Sequence, residues 1–135
     1  MSGRGDRATG AGRLGACPDK PNCVSSRAGP GYRRVAPIGY FGSRAQARAA
    51  LLATIRCMPR TEILHAEADY VHAVQRSRLF RFVDDLECEL PGNERLIHVR
   101  SASRSGYYDF GVNRARIDRL RRDLNRRLAE APADP

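Results

Sequence analysis

Residues 79–103 read LFRFVDDLECELPGNERLIHVRSAS, and this stretch decides the fold. Apolar and polar residues alternate at every second position, the mark of extended backbone with two distinct faces. From Leu79 to Leu90 the alternation sets Phe80, Phe82, Asp84, Leu86 and Cys88 on one face. It sets Arg81, Val83, Asp85, Glu87 and Glu89 on the other. Pro91, Gly92 and Asn93 supply a turn, and Glu94–Ser103 returns as a second strand. So short a link pairs the two strands antiparallel.

Upstream, Thr61–Ala68 and Tyr70–Arg76 are two more alternating runs, divided at Asp69. Four consecutive strands with short links predict an antiparallel meander. Before them, Ser43-Arg44-Ala45-Gln46 has capping-box spacing, and an Ala-rich stretch with Leu51, Leu52, Ile55 and Met58 follows. Pro59 stops this helix near Cys57. After the strands, residues 104–112 form a Gly/Tyr/Asp loop, and Asn113 is the expected N-cap of a second helix. Ile117, Leu120, Leu124 and Leu128 give it one apolar stripe, seven Arg fill the rest, and Ala131-Pro132 ends it. The predicted fold is α+β in the order α-β-β-β-β-α. A four-stranded antiparallel meander is flanked by an N-terminal and a C-terminal helix in a two-layer sandwich.

With 135 residues there is room for one domain. Residues 1–16 are rich in Gly, Arg and Ala without periodicity and are expected to be a disordered lead. Residues 17–130 form the single domain, and 131–135 a tail. Between 17 and 42, four Pro and four Gly predict an extended, turn-rich arm, not a full strand. No apolar run is long enough to span a bilayer. Residues 1–16 carry charge without an apolar core, unlike a secretory signal. A cytoplasmic location is therefore expected of the sequence as it stands, and an envelope-associated one if the true start lies upstream.

Lys+Arg is 24 against 15 Asp+Glu, for a formal charge of +9. All the cations but Lys20 are Arg, whose guanidinium grips carboxylates and phosphates in a fork. Such a balance predicts weak, salt-sensitive adhesion to polyanions, and nonspecific nucleic-acid binding through the Arg-rich last helix is a further alternative for function. It does not predict specific nucleic-acid recognition: no known binding motif appears, and no aromatic lies between 112 and 130 for base stacking.

Candidate chemistry falls in three places. Asp84 and Asp85 are adjacent in a strand and point to opposite faces, so they cannot share one substrate atom. With Asp109 they are expected to form structural ion pairs, Asp84 with Arg100 or Arg104. The alternative is a small enzyme using Asp84 or Asp85 with Arg100 and Arg104. Second, Arg100, Arg104 and Arg114 with the helix start at Asn113 outline a site for an anionic ligand or protein partner, favoured by free N–H groups and the helix dipole. The competing reading is that local Asp residues already occupy these Arg. Third, Cys17 and Cys23 bracket a stiff loop with Pro18 and Pro21, close enough to bridge as a disulfide. Cys57 and Cys88 are expected as small buried residues. No metal or cofactor is expected: His65, His72 and His98 match no zinc spacing, and Gly10-Ala11-Gly12 lacks the context of a phosphate loop.

CPDKPNCVSS at 17–26, FRFVDDLE at 80–87 and RSASRSGYYDFGVNRARIDRL at 100–120 resemble, in order, the motifs of the domain-of-unknown-function family numbered 1499. The resemblance implies a small α+β domain, often exported or membrane-attached, with no settled reaction. The expectation for function is an accessory or ligand-binding domain that recognises an anionic group, more so than an enzyme.

Overall fold

The structure, a computed structural model, describes residues 13–79 and 82–130. The expected lead before residue 13, the side chains of Phe80 and Arg81, and the tail at 131–135 lie outside the described residues. The elements in chain order are β1 (Cys23–Ser25), β2 (Ile38–Gly39), α1 (Arg44–Arg56), β3 (Thr61–Ala66), β4 (Tyr70–Arg76), β5 (Val83–Glu89), β6 (Leu96–Ser103) and α2 (Val112–Glu130). The fold is α+β with two helices and an antiparallel sheet.

The sheet has six strands, not four. The order β1-β6-β5-β4-β3 keeps the meander, and β2 also pairs with β6. The two additions come from the 17–42 arm. The outer edge of β6 offers unpaired N–H and C=O groups, and extended backbone running past it completes them. Cys23 pairs with Ala102, and Ile38 with Ile97.

Ser43 caps α1 as expected, with both halves of the capping box formed. The helix ends at its cap Cys57, which is exposed, in contrast to the buried residue expected there; Cys88 is buried. The long strand starts at Val83, not Leu79. Ser77 holds Phe82, its N–H donating to the Phe82 carbonyl and its hydroxyl accepting from the Phe82 N–H, both at 2.8 Å. Phe82 is thereby exposed instead of facing the core. Burying the Leu86, Cys88, Ile97 and Val99 side chains against Leu51, Ile55, Ile117, Leu120 and Leu124 makes the core on the helix-covered face. Each such side chain contributes about 1.5–3 kcal/mol.

The opposite face carries Asp85, Glu87 and Glu89 from β5, with Glu87 directly across from Arg100. No helix covers it. Residues 13–16, which composition assigns to the lead, lie across it instead, with Leu14 and Gly15 buried.

Candidate functional site

Beneath the start of α2, a polar cluster closes one end of the core. Arg116 is turned inward with its side chain 8% exposed. Its Nη2 donates to Asp84 Oδ2 at 2.7 Å, and its Nη1 to Ser101 Oγ at 2.9 Å and Asn113 Oδ1 at 2.6 Å. Asp84 thus pairs with Arg116 and not with Arg100 or Arg104. The register gives the reason: Asp84 stands opposite Ser103, and its side chain points to the helix face, whereas Arg100 and Arg104 point away. Arg116 is three residues from Asn113 and four from Leu120, on the flank of the apolar stripe. That spacing was the available signal for an inward Arg.

Asn113 is not the N-cap. The helix begins one residue earlier, and Asp109 serves the cap, accepting from the Gly111 N–H at 2.8 Å and the Asn113 N–H at 3.3 Å. Among the described residues Asp109 therefore holds loop backbone and the Asn113 side-chain amide, with no Arg paired to it. Asn113 is fully buried, donating to the Asn22 carbonyl at 3.1 Å and Ser103 Oγ at 3.0 Å. Asp109 thus takes the Gly111 and Asn113 N–H groups at the helix start.

On the other face, Arg104 grips Asp85 through Nε and Nη2, both at 2.9 Å, and His72 Nε2 lies 2.7 Å from the same carboxylate. Burial works to raise the Asp85 carboxyl, but hydrogen bonds from His72 and Arg104 outweigh it and hold the group well below the usual carboxylate range. Arg100 Nη1 donates to Glu87 Oε1 at 3.0 Å. The four residues expected to share one anion site are thus separated: Arg100 and Arg104 sit on the back face with a carboxylate each, Asn113 is interior, and Arg114 lies elsewhere. His98 bridges Glu94 at 2.8 Å and Ser26 at 3.1 Å, and His65 pairs with Glu67. Among the described residues, no group of three or more His, Cys, Asp and Glu side chains is placed to hold a metal ion.

Arg114 lines the third region, a cleft of about 240 Å³ bounded also by Pro21, Cys23, Val24, Tyr32, Tyr108, Asp109, Phe110 and Gly111, the Asp109 carboxylate being held by the Gly111 and Asn113 N–H groups. Its guanidinium donates to the Tyr32 carbonyl. Phe110 has a positive φ of 53°, and its side chain is 92% exposed. Tyr32, Tyr107 and Tyr108 are exposed beside it, and the two loop tyrosines meet edge to face at 4.8 Å. Sequence patterning passed over these aromatics because a loop has no periodicity to make them stand out. Cys17 and Cys23 are joined by a disulfide with Cα atoms 5.6 Å apart, and Cys23 lines this cleft.

Fold and site together define a small α+β domain whose arm is tied by a disulfide beside an aromatic cleft. The profile of the family described as "Protein of unknown function (DUF1499)" matches residues 13–124, and the chain belongs to that family. No curated protein matches the chain at a significant level.

Proposed function

We propose that this is a binding domain, not an enzyme, and that the cleft at Tyr32, Tyr108, Phe110 and Arg114 takes an anionic group carried on an apolar body. Phe110 is the observation that carries it. A bulky residue in the left-handed region costs about 1–3 kcal/mol, and its ring gains nothing back by burial. Folding gives no reason for this combination, whereas recognition does. Exposed aromatics and Arg are the residues that dominate binding surfaces. Arg114 supplies the charge beside them. The enzyme alternative, with Asp84 or Asp85 moving a proton, finds no support in two carboxylates each held in an ion pair. The Arg-rich helix gives little to the nucleic-acid alternative, because Arg116, Arg121 and Arg127 are spent on internal bonds.

Phenyl phosphate, an anion on an aromatic body, is the probe. In an NMR titration its signals of contact should gather at Tyr108, Phe110, Gly111 and Arg114. They should vanish in Arg114→Ala and Phe110→Ala and persist in Arg126→Ala. Equal loss in all three variants, with a steep salt dependence, would leave only generic attraction to a +9 protein. The Cys17–Cys23 disulfide supports an oxidising compartment over the cytoplasm, with the domain envelope-associated. Thiol counting on protein taken directly from cells decides that. Among the described residues no helix is long and apolar enough to cross a membrane.

A further inference from the structure

The arm across the back face is held in an unusual way. Its backbone is read by side chains of the sheet, not by another strand. The Arg13 N–H donates to Glu89 Oε2 at 2.9 Å, and the Gly15 N–H to Glu87 Oε1 at 3.1 Å. The Ala16 carbonyl accepts from Arg100 Nη2 at 3.1 Å. Contacts at alternate residues are how an extended peptide is recognised. Leu14 is fully buried between them, and the Arg13 guanidinium lies 4.5 Å over the Tyr70 ring. A Cβ on Gly15 would lie 3.4 Å from Glu87 and 3.5 Å from Arg100, ordinary contact distances, so the position takes a small residue. The arm's Arg-Leu-Gly-Ala sequence therefore matches the face point by point.

The match is incomplete at one place. Among the described residues, Arg100 Nε is buried without a hydrogen-bond partner. Nε and Nη2 form one edge of the guanidinium, built to hold both oxygens of a carboxylate. The Ala16 amide carbonyl presents one oxygen and uses Nη2 alone. A peptide that ended at this position would present two.

We propose that the back face of the sheet is a binding groove for the C-terminal end of an extended peptide. The pattern it takes is cation, leucine, two small residues and free carboxylate, with the carboxylate on the Nε–Nη2 edge of Arg100. Residues 13–16 occupy this groove in cis as an internal peptide. Glu87 and Glu89 hold the main chain, the pocket under Leu14 selects the side chain, and Arg100 reads the terminus. This groove is separate from the aromatic cleft, on the face of the sheet away from the helices.

The probe is a fluorescein-labelled peptide AGRLGA with a free C-terminus, compared with the same peptide as its C-terminal amide. The receptor is the full chain carrying Leu14→Asp, which puts a charge where leucine was buried and so releases the chain's own arm. Anisotropy should show the acid bound at least about tenfold more tightly than the amide, the ratio expected when a bidentate, charge-assisted pair replaces one neutral bond. The unaltered chain should bind the acid more weakly than Leu14→Asp, because its own arm competes. Adding Arg100→Ala should erase the difference between acid and amide. Equal binding of the two, or no binding to a Leu14→Asp protein with a cooperative melt, overturns the proposal. Should Leu14→Asp not fold, hydrogen exchange on the unaltered chain is the deciding measurement. Millimolar acid peptide must speed exchange of the Gly15 N–H, and unchanged exchange there overturns the proposal equally.

Discussion

The two faces of the sheet are built on opposite principles. Under the helices, apolar side chains meet apolar side chains, and any partner of the right size would serve. Under the arm, Glu87 and Glu89 are buried to 1% and 6% exposure, and each is useful only if a defined donor stands opposite. The first face supplies stability that tolerates exchange of its parts. The second supplies a fit that does not. A sheet with both can keep its fold while one face changes occupant.

The largest expected effect tests whether the helix-covered face is as tolerant at its polar end. Arg116→Ala strands the Asp84 carboxylate in the interior, and urea unfolding should show a loss of about 3–5 kcal/mol. Replacing both, as Asp84→Leu with Arg116→Met, should recover most of that loss; no recovery would mean the cluster does more than neutralise itself. Leu14→Ala is the corresponding cut on the arm-covered face. It should cost about 2 kcal/mol, the low end for a buried leucine, because an arm can settle into the space where a helix cannot. An equal loss for Leu14→Ala and Leu120→Ala in the same urea series would erase the distinction between the faces.

Reducing Cys17–Cys23 should cost about 2 kcal/mol, since the bond closes only a short loop. The arm should exchange its amides faster in the reduced protein while the Ile97 and Val99 amides stay protected. The smallest effect is one of pH. Hydrogen bonds from Arg13 and then His65 hold the Glu67 carboxyl down to about 2, and Asp85 is likewise depressed by His72 and Arg104 against the pull of burial. Their folded values lie below the unfolded ones, so the stability they contribute is complete above about pH 4.5 and fades as the pH falls toward 2. Acid titration of Arg104→Ala and Arg13→Ala should show a shallower fall than the unaltered chain; parallel curves would assign the acid sensitivity elsewhere.

Much of this was legible in residues 61–103, where period-two alternation gave the strands and assigned Asp84 and Asp85 to opposite faces. The Ser43 cap was equally plain, because its chemistry is local. What escaped was set by distance in space. β1 and β2 are three and two residues long, too short to alternate, and exist because β6 left an edge open. The pairing of Asp84 with Arg116 joins a strand to a helix, and no spacing rule links positions in different elements. Arg100 faces Glu87 and not Asp84 because the turn between β5 and β6 is longer than Pro91-Gly92-Asn93, moving the register. Residues 13–16 looked like lead because a lone leucine among glycines carries no pattern until a groove receives it.

The pairing of β1 with β6 has a consequence for the order in which the chain is made. Cys23 meets Ala102 and Ser25 meets Arg100, so a strand made before the helices waits for β6, made about 75 residues later. Through most of synthesis the arm has no sheet edge to join, and Cys17 and Cys23 emerge as neighbouring free thiols long before Arg100 exists to hold Ala16. Whether an oxidant reaches them in that interval determines whether the arm arrives at the finished sheet already looped or still open.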